Sequence, residues 1–173
     1  MFNNVTLRNP KDTDFNNLLD WENNIKNTIY TDQPVFYTED QIQNFLSSNH
    51  DLILNKQIKL IIQNKDTALG CIDLFEYDMV NSRAGVGVFI DEKYRNQGVA
   101  FKAINLLKVM SSKQFLIAQL YANIVSTNLK SIKVFEKSGF IKNGVKKNWI
   151  RTENSFIDVF FYQLSLNSSS NFI

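Results

Sequence analysis

The pattern of hydrophobic and polar residues along the chain switches between a helical period and a strand period, which predicts a mixed α/β fold. Four segments have the spacing of amphipathic helices, at residues 13–23, from about residue 38, at 99–113 and at 128–138. Seven segments are typical of strands, at residues 5–8, 58–63, 68–77, 83–90, 116–125, 146–151 and 156–164. The order βααβββαβαββ predicts a mixed sheet with helices packed against it.

Short local signals mark where several of these elements begin and end. Asp12 or Thr13 can cap the first helix, and Thr38 forms a capping-box pair with Gln41 before the second. Gly139 is placed to terminate the fourth helix. These positions support the helix assignments independently of the hydrophobic spacing.

The composition excludes several classes of function. The chain has 173 residues, enough for one domain with a core, which we expect over residues 1–166, with a frayed polar tail at 167–173. The net charge of +2 is too balanced to indicate a nucleic-acid or membrane partner. One cysteine, Cys71, and one histidine, His50, cannot form an internal disulfide or a standard structural zinc site. We therefore expect no bound metal. We also expect a cytoplasmic protein, because the sequence shows no signal peptide and no membrane-spanning run.

The clearest chemical signal is the segment at residues 94–100, which reads Tyr-Arg-Asn-Gln-Gly-Val-Ala and leads into the third predicted helix. A helix N-terminus has free N–H groups and partial positive charge, and Gly98 lets the backbone approach phosphate oxygens closely. The segment lacks the Gly-Lys-Ser/Thr of a Walker loop and the three-glycine spacing of a dinucleotide fingerprint. It predicts an anion site at this helix, for coenzyme A or for another nucleotide.

Three motifs in this order resemble the GNAT (GCN5-related N-acetyltransferase) family. Arg95-x-x-Gly98-x-Ala100 matches its Gln/Arg-x-x-Gly-x-Gly/Ala signature, residues 84–90 fall where the family has a bulged fourth strand, and residues 128–140 resemble its asparagine-to-Gly-Phe helix. The chain is similar to the subgroup of spermidine and ribosomal-protein alanine acetyltransferases. The resemblance implies a mostly antiparallel central sheet with helices on both faces and one splayed strand pair.

The resemblance also implies how acetyl-CoA would bind. The pantetheine arm would insert at the splay, where Gly85 and Gly87 would relax the strand beside it. Backbone amides would hold the pyrophosphate, and a helix asparagine and two lysines would add further contacts. The implied cofactor-binding residues are Val88, Phe89, Ile90, Arg95, Asn96, Gln97, Gly98, Val99, Ala100, Phe101, Asn128, Lys133 and Lys137.

The acceptor side of the implied reaction is a primary amine that attacks the thioester directly. The amine would belong to a polyamine, another small amine or a peptide or protein N-terminus. Glu76 is predicted to bind this amine or take its proton, and Asp32 to bind the substrate, with added negative potential from Glu22. Strand alternation predicts Asp73 on the face opposite Glu76.

Two positions depart from the family pattern. Phe135 stands where many members carry a tyrosine as general acid, and Asn123 stands where a glutamate is frequent. Tyr121 could supply the missing phenol, although a strand tyrosine is more often simply packed. A non-catalytic acyl-CoA-binding or regulatory domain is therefore the alternative to an enzyme. Family members form rings, dimers or monomers, which leaves a homo-oligomer open.

Overall fold

A computed structural model describes residue 2, residues 4–24 and residues 35–166 of the chain. In these residues seven strands form one sheet, in the order β1-β2-β3-β4-β5-β7-β6. The strands are β1 (Val5–Arg8), β2 (Ile58–Asn64), β3 (Thr67–Asp78), β4 (Arg83–Ile90), β5 (Gln119–Val125), β6 (Ile141–Arg151) and β7 (Phe156–Ser165). Neighbouring strands are antiparallel except β4 and β5, which are parallel. The predicted mixed, mostly antiparallel sheet is confirmed.

Five helices accompany the sheet in the described part of the chain. They are α1 (Phe15–Asn23), α2 (Glu39–Leu46), α3 (Leu52–Asn55), α4 (Val99–Lys113) and α5 (Leu129–Lys137). The predicted capping box before α2 is present, since the Gln41 N–H donates to Thr38 Oγ1 and the Thr38 N–H donates to Gln41 Oε1. Gly139 follows α5 with a φ of 93°, the left-handed conformation that ends many helices.

Several predicted boundaries were wrong, each for a local reason. Helix α1 begins at Phe15, because Asp12–Asp14 forms a 3-10 turn instead of capping it. Helix α3 was not predicted; Asp51 caps it by accepting the N–H groups of its first turn. Strand β5 begins at Gln119 because Leu116 adopts a φ of 53° and is 78% exposed. Strand β6 begins at residue 141 and was predicted too short, since an exposed edge strand has little hydrophobic alternation.

Buried side chains cover both faces of the sheet. One core packs α4 and α5 against the sheet, with Ile104, Leu107 and Phe135 among its buried residues. A smaller core packs α1 and α2 on the opposite face, against side chains that include Ile61 and Cys71. The prediction of helices on both faces is confirmed. Burial raises the pKa of Cys71 to about 12, so its thiol stays protonated at neutral pH.

A buried ion pair fixes the start of the fold. The Asp14 carboxylate is 2% exposed and accepts from Arg8 Nη1 at 2.6 Å, Arg8 Nη2 at 2.8 Å and the Lys11 N–H at 2.8 Å. Burial alone raises the pKa of Asp14, but the hydrogen bonds from Arg8 and Lys11 outweigh it and the net pKa is lowered. This stabilisation is present above the unfolded-state pKa of about 4. It is lost as the pH falls through the lower folded-state pKa.

Asp14→Asn is expected to destabilise the fold by about 3 kcal/mol, because it leaves the Arg8 guanidinium without its charged partner. Urea denaturation at pH 7 measures the loss. Asp78→Asn is the control, since its partner Arg83 is 55% exposed and the pair contributes little. Equal shifts of the midpoint for both variants would contradict a special role for the buried pair.

Candidate active site

Strands β4 and β5 pair at one end and then separate. Within the described residues their pairing covers Arg83 with Gln119, Ala84 with Leu120, and Gly85 with Tyr121. Beyond that point a cavity of about 240 Å³ lies between residues 86–89 of β4 and 122–125 of β5. The predicted splay is therefore present. Backbone N–H and C=O groups along separated strand edges need partners, which an extended polar ligand can supply.

The bulge near this splay lies in β3 and not in β4, where the family resemblance placed it. The β3–β4 register runs regularly from Gly70 to Phe75, and the shift falls between Phe75 and Asp78. Packing explains why residue 85 is a glycine, because a Cβ there would lie 2.3 Å from the Phe75 ring. A Cβ at Gly87 would make only ordinary contacts, at 3.6 Å from Asp73 Oδ2. Gly87 lines the cavity and Gly85 does not.

The bulge turns Glu76 toward β5. Glu76 has a φ of 50°, and its carboxylate accepts a hydrogen bond from the Tyr121 hydroxyl. The Phe75 ring meets the Tyr121 ring edge-on at 6.0 Å. Strand alternation puts Phe75 on the same face as Asp73, and the contacts with Tyr121 put Glu76 on that face as well. The prediction that Asp73 and Glu76 face opposite ways was therefore wrong. Burial, followed by the hydrogen bond to Glu76, raises the pKa of Tyr121, so the phenol keeps its proton at neutral pH.

The N-terminus of α4 is open to an anion. Gly98 is its N-cap residue with a φ of 76°, and the first helical bond runs from the Lys102 N–H to the Gly98 carbonyl. The N–H groups of Val99, Ala100 and Phe101 therefore have no carbonyl partner within the helix. Among the described residues no side chain caps this terminus, and its first turn contains no acidic residue. Within the described residues, therefore, neither a capping side chain nor the first turn of α4 offsets the partial positive charge of the helix.

Two side chains of the loop before α4, those of Arg95 and Gln97, donate to backbone carbonyls of the preceding residues. Arg95 donates from Nε to the Ile90 carbonyl at 2.8 Å, and its guanidinium lies 5.7 Å from the Phe89 ring centroid. Gln97 donates to the Lys93 carbonyl at 3.3 Å, and Asn96 adopts a φ of 61°. The loop thus offers mainly its backbone to a ligand.

Helix α5 supplies one wall of the splay cavity. Asn128 lines the cavity, and its side-chain oxygen caps α5 by accepting the Ser131 N–H at 3.1 Å. Phe135 lines the same cavity at 2% exposure, so the position at which the family resemblance implies a tyrosine reaches the site without a hydroxyl group. Asn123 Oδ1 is buried in the cavity wall with no hydrogen-bond partner in the described part of the chain.

The two lysines of α5 differ in their surroundings. Lys137 Nζ lies 4.7 Å from the centroid of the Phe101 ring, which is in the first turn of α4. Lys133 lies one turn earlier on the same face and is exposed. The structure places Lys137 beside a side chain of the first turn of α4 and shows no such contact for Lys133 within its described residues. Val88 and Phe89 line the cavity, whereas Ile90 is buried in the core.

A charged cluster that sequence reasoning missed lies beside the splay. Lys59 Nζ is 2.9 Å from Glu22 Oε1 and 2.9 Å from Asp73 Oδ1. Burial raises the pKa of Asp73, and Lys59 opposes that shift. For Lys59 burial acts to lower the pKa, but Asp73, Cys71 and Glu22 outweigh it and the pKa lies well above its usual value. Ile61, two residues further along the strand, shares a face with Lys59 and is buried, and this apolar neighbour was the sequence signal that the face of Lys59 is covered.

This cluster also lines a second cavity, a groove of about 700 Å³ beside α1 and α2. Glu22, Lys59 and Asp73 border both the groove and the splay cavity. Asp32, predicted to bind substrate, and the tail at 167–173 lie outside the described residues. In the part of the chain that is described, no helix has the length and hydrophobicity needed to cross a membrane.

Comparisons with known proteins agree with this geometry. A model of the acetyltransferase (GNAT) domain matches residues 4–141. The uncharacterized N-acetyltransferase p20 of Bacillus licheniformis is 23% identical over 163 residues, which cover 92% of each chain. The structure of spermidine N-acetyltransferase from Vibrio cholerae with CoA and spermine superposes with a TM-score of 0.84 at 18% identity, over 94% of this chain and 95% of that one. An N-acetyltransferase from Staphylococcus aureus Mu50 gives a TM-score of 0.79 at 22% identity, over 95% and 99%.

The solved structures show a shared fold, and the domain match covers most of the chain. The splayed strands and the open helix terminus occur in the order that the sequence motifs predicted. The chain is therefore an acetyltransferase and belongs to the GNAT family.

Proposed function

We propose that the chain transfers an acetyl group from acetyl-CoA to a primary amine. The observation that carries this proposal is the separation of β4 from β5 after Gly85 and Tyr121, next to a helix N-terminus without a capping side chain. The separated edges suit the amide groups of a pantetheine arm, and the helix terminus suits a pyrophosphate. Acetyl-CoA would supply the activated thioester, and the remaining chemistry belongs to side chains of this protein.

The proposed cofactor contacts follow from the positions described above. Backbone groups of residues 88–90 would bond the pantetheine arm, and backbone amides of residues 95–101 would hold the pyrophosphate. The amide nitrogen of Asn128 is available to the arm, since its oxygen already caps α5. Lys137, beside Phe101, would add positive charge near the phosphates, whereas Lys133 would have to move to do so.

The acceptor amine must lose a proton before it attacks, because amines of pKa near 10 are protonated at neutral pH. Glu76 is exposed to solvent and would accept that proton, with its carboxylate held by Tyr121. The amine nitrogen would attack the thioester carbonyl carbon, the oxyanion would lie near strand N–H groups around Phe89, and the C–S bond would then break. Phe135 has no proton to give to the departing thiolate. The Tyr121 phenol, which keeps its proton at neutral pH, would give one instead and would recover a proton from the nitrogen as the amide forms.

Acetylation of amines by the purified protein tests the proposal. Incubation with acetyl-CoA and a panel of peptides, small monoamines and polyamines should release CoA and add one acetyl group to at least one amine, detected by mass spectrometry. Binding of CoA by calorimetry without acetylation of any amine would favour the alternative, a non-catalytic acyl-CoA-binding domain, which the replacement of tyrosine by Phe135 motivates. Displacement of CoA by ATP at equal concentration would favour a different nucleotide site. Assembly into a homo-oligomer stays a prediction.

A further inference from the structure

The groove beside α1 and α2 meets the splay cavity at one place. Glu22, Lys59 and Asp73 border both spaces, so an acceptor lying in the groove would reach a thioester in the splay at this charged cluster. The side chains of the cluster are 22–30% exposed, which leaves their charges partly accessible to a ligand. The composition of the groove therefore bears on which acceptor the enzyme takes.

The charges that line the groove are gathered around Lys59, and two carboxylates with one ammonium leave the cluster with a formal charge of −1, enough for one ammonium of a ligand. Among the described residues that line it, the charged side chains are Glu22, Lys59 and Asp73. Lys59 Nζ lies 2.9 Å from a carboxylate oxygen of each partner, so an ammonium of the protein itself already occupies the space between the two carboxylates.

Apart from this cluster, the described lining of the groove combines apolar side chains with amides and contains no carboxylate or ammonium group. Five side-chain carboxamides line it, from Gln41, Asn44, Asn49, Asn55 and Gln57. A carboxamide has both a donor and an acceptor, which matches the N–H and C=O of a peptide group. Gln41 Oε1 already accepts from the Thr38 N–H and Asn55 Nδ2 already donates to the Asn49 carbonyl, so these two side chains each offer a ligand only their other group. A second ammonium group on the acceptor would lose water here without finding a further carboxylate among the described lining residues, which is unfavourable.

We infer that the acceptor is a singly charged amine at the end of a neutral, amide-bearing chain, that is, a peptide N-terminus with uncharged residues behind it. This inference rests on the proposed function, because it assumes that acetyl-CoA occupies the splay. The peptide would lie along the groove, with its amine at the junction formed by Glu22, Lys59 and Asp73. A polyamine, whose other ammonium groups would lie among these neutral side chains, is disfavoured.

Acetylation rates of matched acceptors test the inference in the wild-type protein. The acceptors are two tripeptide amides, Ser-Asn-Asn and Ser-Lys-Lys, together with spermidine, and the readout is kcat/KM. We expect the neutral peptide to exceed the lysine peptide and spermidine by about tenfold or more, since uncompensated charge weakens binding. Equal or faster acetylation of the lysine peptide or spermidine would overturn the inference and leave the proposed function standing. Bound CoA without acetylation of any amine would instead overturn the proposed function.

Lys59→Met tests the electrostatic reason. Removing this ammonium frees Glu22 and Asp73 for a cationic acceptor, so the preference for the neutral peptide should shrink by about fivefold or more. Lys113→Met, at the exposed end of α4, is the matched control and should leave the preference unchanged. A folded Lys59→Met protein with the wild-type preference would contradict the role assigned to the cluster. If this variant does not fold, the comparison of acceptors in the wild-type protein decides.

Discussion

Glu76→Gln is expected to lower kcat by about 100-fold or more, the usual contribution of a general base, while CoA binds as tightly as before. The carboxamide keeps the shape of Glu76 and can still accept from the Tyr121 hydroxyl, but it cannot take a proton from an ammonium group. Steady-state acetylation of the best acceptor gives kcat, and calorimetry gives the Kd for CoA. A parallel loss of CoA affinity would point to a folding defect instead of a missing base.

The chain contains a matched control for this variant. Tyr162, on β7, donates to Glu136 of α5 at 2.9 Å, which repeats the pairing of a strand tyrosine with a glutamate away from the splay. Glu136→Gln should therefore leave kcat unchanged. The pair Tyr121→Phe and Tyr162→Phe extends the test, since only the former removes the hydroxyl that holds Glu76. Equal kcat values for Glu76→Gln and Glu136→Gln would refute the assignment of Glu76.

Gly98→Ala is expected to raise the Kd for CoA by about 10- to 100-fold, the loss that follows when one hydrogen bond to a charged group is broken. Gly98 has a φ of 76°, and a Cβ there meets nothing within 4 Å, so the substitution causes no clash. It does disfavour the left-handed backbone that orients the first amides of α4. Calorimetric titration with CoA measures the effect on affinity, and thermal unfolding measures the effect on stability.

Gly139→Ala is the control for backbone strain. Gly139 has a φ of 93°, and its Cβ would lie 3.6 Å from a Leu164 side-chain atom, so alanine fits but is similarly disfavoured. Both variants should lose about 1 kcal/mol of stability, because each places alanine where φ is positive. Only Gly98→Ala should weaken CoA binding. Equal Kd values for CoA in the two variants would remove the N-terminus of α4 from the proposed site.

Features that depend on local sequence were predictable. The capping box of Thr38 and Gln41 and the glycine-containing loop before α4 are encoded within a few residues, and the structure has both. The splay of β4 from β5 came from the family resemblance and not from any pattern in the strands themselves. A family resemblance can therefore predict a feature of the sheet that the hydrophobic pattern of the single strands does not indicate.

Features that depend on distant residues were not predictable. The direction of Glu76 depends on a bulge that forms where Phe75 packs over Gly85, and strand alternation gave the wrong face. The charged cluster joins Glu22, Lys59 and Asp73, which lie on three separate elements and are brought together only by folding. Charged side chains that are far apart in sequence give no local signal of their pairing.

The central claim, that CoA binds between β4 and β5 with its pyrophosphate on α4, is tested most directly by amide hydrogen exchange with and without CoA. We expect CoA to slow exchange within residues 86–90 of β4, at the amides that face β5, and at residues 98–101 around the N-terminus of α4, since these amides would bond the ligand. Exchange in the β6–β7 hairpin should stay unchanged. Slower exchange elsewhere, with residues 86–90 and 98–101 unaffected, would contradict the account.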